Sequence, residues 1–301
     1  MKKILIYDTT LRDGAQTEGI SYSLSDKVRV ARELDNLGVD YVEGGWPSNT
    51  KDRELFKELK KKQLKNSKLV AFGSTRRANE KAANDSNIKS LVEAGTEVVT
   101  VFGKSWDMHV KDVLKTTLEE NLEMISDTVS YLKSKSKEVI YDAEHFFDAY
   151  KRNKDYALKT LQAAQKAGAD VIVLCDTNGV TLTSQVGRIV EEVKKQISVP
   201  LGIHTHNDLG MAVANSVAAV EGGCTQVQGT FNGYGERCGN ADLVSVAGIL
   251  KLKMGIDCLG DNKLKELTKT AHVISEISNM RQMPNQPFVG SSAFAHKGGV
   301  H

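Results

Sequence analysis

The sequence predicts a (β/α)8 barrel of the TIM type, and three observations carry that expectation. Short apolar runs rich in β-branched residues alternate with longer amphipathic stretches, as in α/β folds. Eight such runs can be counted, and a faint internal repeat recurs before every second one. The 301 residues also suit one barrel of about 250 residues with a short addition.

The strand candidates, in order, are "ILIYDTT" (4–10), "YVEGG" (41–45), "LVAFG" (69–73), "EVVTVFG" (97–103), "EVIYDAEHF" (138–146), "DVIVLCDT" (170–177), "PLGIHTHN" (200–207) and "TQVQGTFNG" (225–233). Helical patterns fall between them. In residues 25–38, Val28, Ala31, Leu34 and Leu37 recur at a spacing of three or four, and Ser25 followed by Asp26 is the expected N-cap. The repeat reads "LGVDYVE", "AGTEVVT", "AGADVIV" and "GGCTQVQ", each a glycine placed to end a helix, a short link and then a strand. A doubly wound sheet is the competing architecture, but no GxGxxG follows the first strand. Beyond residue 256 the alternation stops. Residues 1–256 are therefore expected to form the catalytic barrel. Residues 257–301 are expected to be a linker and the start of an accessory helical segment, with a helix in "KLKELTKTAHVISEISNM" and a loop after it. The chain reads as a piece of a larger protein cut within that segment.

Composition excludes several classes of partner. With 40% hydrophobic and 26% charged residues and a net charge of +2, nothing calls for a nucleic-acid or membrane partner. Cys175, Cys224, Cys238 and Cys258 form no CxxC pair and read as reduced thiols. The apolar start is broken by Asp8 and is too short for a signal-peptide core, so a cytoplasmic protein is expected.

In such a barrel, chemistry gathers at the C-terminal ends of the strands. Those ends carry Asp8, Arg12 and Asp13; Glu43 and Trp46; Asp142, Glu144 and His145; Asp176, Thr177 and Asn178; and His204, His206, Asn207 and Asp208. On a strand, residues i and i+2 point the same way, so His204 and His206 present two imidazoles to one side. They are either two legs of a metal site or two hydrogen-bonded barrel histidines. Asp13, facing them across the mouth, favours a divalent metal of the Zn, Mn or Mg kind. "LRDGAQ" (11–16) is either part of that site or a salt-bridged surface turn. Glu144 is a candidate proton shuttle or a charge-paired rim residue. The glycine-rich "NGYGERCGN" (232–240) could offer backbone N–H groups to an anion, although an ordinary connection is the commoner reading. Trp46 is a candidate pocket wall, whereas Trp106 reads as packing.

Taken together, "LRDGAQ" with Lys27 after it, "LGIHTHNDLGMAVA" and "GYGERCGNADL" resemble the α-isopropylmalate synthase and homocitrate synthase family, over nearly the whole chain. "IYDTTLRDGAQTEGISYSLSDK", "VEGGWP" and "YDAEHFFDAY" look most like its citramalate-forming branch. The resemblance implies a metal-dependent condensation of acetyl-CoA with pyruvate to citramalate and CoA, in isoleucine biosynthesis, by a homodimer. It implies Asp13, His204, His206 and Asn240 around the metal, with Arg12, Glu144 and His301 catalytic. Gln16, Trp46 and Thr177 would contact substrate, and Gly233, Gly235 and Arg237 the acetyl-CoA. Asp142 departs from the family pattern, being an acid where an apolar contact is expected. Sibling enzymes taking larger 2-keto acids are the nearest alternative. A 3-hydroxyacyl-CoA lyase, with Cys238 on its mobile loop, is a further one, and a non-catalytic barrel the last.

Overall fold

The computed structural model describes residues 3–260 and 262–299. Eight parallel strands close in chain order: β1 (Leu5–Asp8), β2 (Tyr41–Glu43), β3 (Lys68–Ser74), β4 (Val98–Lys104), β5 (Glu138–Glu144), β6 (Val171–Asp176), β7 (Leu201–Thr205) and β8 (Gln226–Gly229). Closure is made by β1 against β8, with Leu5 opposite Gln226 and Asp8 opposite Gly229. All eight sequence candidates are strands. The first and seventh are shorter than their apolar runs, because Thr9–Thr10 and His206–Asn207 already belong to the mouth.

Alternation along each strand divides the core in two. Ile6, Val42, Ala71, Val99, Ile172, Leu174, Ile203 and Val227 point outward and pack under the helices. Tyr7, Tyr41, Val70, Val98, Ile140, Val171, Val173 and Cys175 point inward and fill the barrel. Two residues further toward the C-terminal ends, the same inward positions carry Glu43, Phe72, Thr100, Asp142, His204 and Gln228. Apart from Phe72, the filling thus changes from apolar to polar just where a TIM barrel places its chemistry.

The first helix, Leu24–Leu37, corrects one expectation. Its N-cap is Ser23, not Ser25. The Ser23 hydroxyl accepts the Asp26 N–H and the Asp26 carboxylate accepts the Ser23 N–H, a reciprocal capping box in which the acid must stand three residues on. Gly38 ends this helix with φ of 90°, the left-handed form that only glycine adopts without strain.

Past residue 256, the helix Leu267–Ile277 is shorter than its sequence pattern and lies against Leu24–Leu37. Tyr22 and Ser278 share a hydrogen bond of 2.7 Å, and the Asn232 side chain donates to the Ala271 carbonyl. No helix among the described residues is long and apolar enough to cross a membrane.

Candidate active site

Three side chains meet at the mouth of the barrel. His204, next to the end of β7, faces inward, and His206 keeps that direction because its segment is bridged to Asn240. The flanking chain is fixed by Asn207 N–H to the Gly239 carbonyl and Ala241 N–H to the Thr205 carbonyl. Asp13 arrives from a turn after β1, in which the Thr9 carbonyl accepts both the Arg12 and Gly14 N–H groups. Asp13, His204 and His206 each offer a ligand atom within 4.8 Å of the others. All three are almost wholly buried.

Their chemistry fits a divalent cation. His204 Nδ1 donates to Gln228 Oε1 at 3.0 Å, so in the neutral ring it is Nε2 that carries the lone pair, 3.3 Å from His206 Nε2. Two such lone pairs and a carboxylate oxygen, 3.3 Å from His204 Nε2, make a mixed N/O donor set of the kind zinc or manganese takes. Asn240 stands beside them with Nδ2 3.2 Å from Asp13 and a buried Oδ1 without a partner. Turning its amide over would aim that oxygen at the same point, as a fourth ligand requires. Burial raises the Asp13 carboxyl, but Arg12 and His204 outweigh it and hold the group below the usual carboxylate range. Burial and the neighbouring His204 push His206 down to about 3, so it stays neutral and able to ligate.

Arg12 is held on three sides. Its Nε donates to Glu43 at 2.5 Å, its Nη1 lies 2.9 Å from Asp13, and its guanidinium carbon sits 3.8 Å above the Phe72 ring. Glu43 is itself fully buried and accepts the Tyr7 hydroxyl at 2.6 Å. Its burial raises its pKa against the opposing pull of Arg12. The cation is therefore rigid, with its fork presented to the cavity.

That cavity, of about 280 Å³, is lined by Arg12, Asp13, Gln16, Trp46, Asp142, Glu144, Thr177, His204 and His206 among others. Glu144 pairs with Lys104, the residue opposite it across the β4–β5 ladder. Thr177 Oγ1 accepts the His145 N–H at 2.8 Å, leaving its own hydrogen for a ligand. One wall is aromatic: Phe72 and Phe102 stack at 5.5 Å, and Trp46 stands edge-on to both at 5.8 Å.

Asp142 is buried among these groups and accepts from Gln228 Nε2 at 3.0 Å. Burial, opposed by His204, pushes its pKa up to about 7. The acid that departs from the family pattern thus has a partner in the Gln228 amide.

The glycine-rich loop closes one side. Gly235 has no room for a side chain, since a Cβ would fall 2.0 Å from Asn240 Oδ1. Gly233 accepts the Asn240 N–H through its carbonyl. Arg237 forms two hydrogen bonds to Asp208 at 2.7 and 3.0 Å, pairs with Glu236 and donates to the Thr177 carbonyl at 2.7 Å. These bonds hold its guanidinium at the rim, beside the backbone groups of the loop. His301 lies outside the described residues.

Sequence reasoning missed Lys104, Gln228 and Asn87. Lys104 lies one residue past the fourth apolar run, but two past Phe102 and therefore on its face. Gln228 was readable by the same period of two. Asn87 sits on a helix, Ser86–Glu93, and no local pattern marks it.

A family model described as HMGL-like matches residues 3–274. The (R)-citramalate synthase of Aquifex aeolicus is 57% identical over 302 residues, covering 100% of this chain and 57% of that protein. The (R)-citramalate synthase of Geobacter sulfurreducens is 55% identical, with the same 100% and 57% coverage. The chain thus spans little more than half the length of these relatives. Among solved structures, the HMG-CoA lyase of Bacillus subtilis superposes with a TM-score of 0.78 at 21% identity, over 93% of this chain and 95% of that one, a likeness of fold.

Proposed function

The chain belongs to the HMGL-like family, and from that premise we propose that it is the catalytic barrel of an enzyme condensing acetyl-CoA with pyruvate to give citramalate and CoA. The observation that carries this reading is the buried Asp13, His204 and His206 set, with Arg12 paired to Asp13 beside it in a cavity that Trp46 also lines. Identity of 55–57% to two (R)-citramalate synthases supports the same choice.

A proton leaves the methyl group of acetyl-CoA, the resulting carbon attacks the pyruvate ketone, and water then cleaves the thioester. A divalent ion held by Asp13, His204 and His206, with Asn240 beside them, supplies Lewis acidity at the ketone. Thr177 donates its free hydroxyl hydrogen to the pyruvate carboxylate. Arg12, rigid between Asp13, Glu43 and Phe72, stabilises the oxygen that gains negative charge, with no reorganisation at the moment of reaction. Glu144, tied to Lys104, stands at the same mouth to hold or pass a proton. The rings of Trp46, Phe72 and Phe102 keep water from the methyl side of the acid.

Residues 1–256 form the catalytic unit in this proposal and residues 257–301 begin an accessory segment. There His301 would reach a site, in a homodimer working in the cytoplasm. Gln16 would contact substrate from the turn after β1, and Gly233 and Gly235 would lie along acetyl-CoA.

The test is calorimetric titration of pyruvate, then 2-ketoisovalerate, into manganese-loaded protein, repeated with His206→Ala. Pyruvate binding that needs both the metal and His206 supports the reading. Preference for the branched acid would move it to a larger substrate, and binding of neither acid would remove it.

A further inference from the structure

The Trp46 ring reaches the cavity from a loop, yet it is held more firmly than a loop residue needs for packing. Its backbone N–H donates to Asp52 Oδ2 at 2.9 Å, and Asp52 is itself paired with buried Lys27 at 2.5 Å. The preceding Gly45 leaves space for that carboxylate, since a Cβ there would meet Asp52 at 2.6 Å. From the far side, Asn87 Oδ1 accepts the indole N–H at 2.6 Å.

Asn87 is not a surface residue that happens to touch the ring. Its Nδ2 donates to the Ser74 carbonyl at the end of β3, so the amide cannot turn over without losing both bonds. Its backbone N–H is capped by Asp85 at 2.8 Å. On β3, Gly73 makes the approach feasible, because a Cβ would stand 3.0 Å from Asn87 Oδ1 and 3.1 Å from Leu91. Asn87 therefore fixes the angle of the indole about its long axis, while Phe72 and Phe102 fix its position edge-on.

We infer that Asn87, on a helix outside the barrel and without a place in the cavity lining, is a specificity-determining residue: by holding the Trp46 indole across the mouth, it sets the size of the 2-keto acid the cavity accepts. The inference rests on the 2-keto acid reading above and deepens it. An indole freed from Asn87 would leave a partly buried N–H without its partner, and the ring would turn toward solvent. The space it vacates is the space a branched acid needs. Apolar pockets distinguish a methylene by roughly 10- to 200-fold, so one ring's orientation is enough to set the preference.

The test uses Asn87→Ala and Asn87→Asp in the 301-residue chain. Asn87→Asp keeps an oxygen for the indole but gives up the Nδ2 donation to the Ser74 carbonyl, and so separates the two bonds. In a Trp106→Phe background Trp46 is the sole tryptophan, so the tryptophan emission, excited selectively, reports the ring directly. Asn87→Ala is expected to shift its emission to the red. The same variant should change the ratio of pyruvate to 2-ketoisovalerate affinity by about tenfold in favour of the branched acid, with manganese binding unaltered. Asn87→Asp, which keeps the acceptor for the indole, should lie nearer the wild type than Asn87→Ala in both the emission and the ratio. An unmoved emission and ratio in Asn87→Ala, beside intact pyruvate binding, overturns the inference alone. A wild-type protein that binds neither acid overturns the functional reading and the size claim with it.

Discussion

Gln228 Oε1 stands 3.0 Å from His204 Nδ1 and so decides which nitrogen of that imidazole carries the proton. The Gln228 amide is in turn oriented by Asp142, so the chain Asp142, Gln228, His204 selects the tautomer of the neutral ring whose Nε2 faces the donor set as a lone pair. Partners of this kind commonly govern metal affinity by 10- to 100-fold. Gln228→Leu is expected to weaken manganese binding by about that factor, measured by titration calorimetry. An unchanged affinity would mean that the histidine is oriented by packing alone.

Metal binding should stabilise the fold by mass action. With a divalent ion at a hundred times its dissociation constant, native-only binding adds about 2.7 kcal/mol. Thermal unfolding with and without manganese should therefore differ clearly in the wild type. In His206→Ala the difference should shrink or vanish, while circular dichroism stays native. A full metal shift in that variant would place the ion elsewhere.

Gly235→Ala probes Asn240 without touching a charged ligand. The new methyl would arrive 2.0 Å from Asn240 Oδ1, and the amide must move. The expected result is weaker manganese binding with an intact Asp13, His204, His206 set. If the metal affinity survives, Asn240 is a neighbour of the ion and not one of its ligands.

Asp8 gives the fold a pH dependence of unusual sign for a carboxylate. Burial pushes its pKa up to about 7, only partly opposed by hydrogen bonds from Thr10. The folded state therefore holds this proton more tightly than the unfolded chain, and stability falls as pH rises from about 4 toward about 7. The slope from this group reaches at most about 1.4 kcal/mol per pH unit. Asp8→Asn should flatten it, read from urea unfolding at pH 4, 6 and 8. Parallel curves for variant and wild type would discount the effect.

The fold was legible because its signals are local and repeated. The eight β-rich runs and the four glycine-ended links each report one β/α unit, and the barrel is their sum. The His-x-His spacing was legible for the same reason, since a strand's period alone places both rings on one side. Ser23 shows where this reading fails. Two serines two residues apart satisfy the same local preference, and only the reach of Asp26 back to the N-cap chooses between them. Asn87 was hidden for a different reason. It meets the indole through a hydrogen bond to a residue 41 positions away, and no local pattern on its helix marks it. Asp142 looked anomalous as an isolated acid and becomes intelligible only beside the Gln228 amide.

The site's two jobs hang on different arcs of the rim. Asp13, His204, His206 and Asn240 come from β7, β8 and β1 and the turns that follow them, which Arg237 clasps to Asp208 and Thr177. Trp46, Phe72 and Phe102 come from β2, β3 and β4. A lineage of such barrels can therefore drift in one arc without revisiting the other. Diversification of substrate and preservation of reactivity become separable histories within a single closed sheet, with Arg12, stacked on Phe72 and paired to Asp13, answering to both.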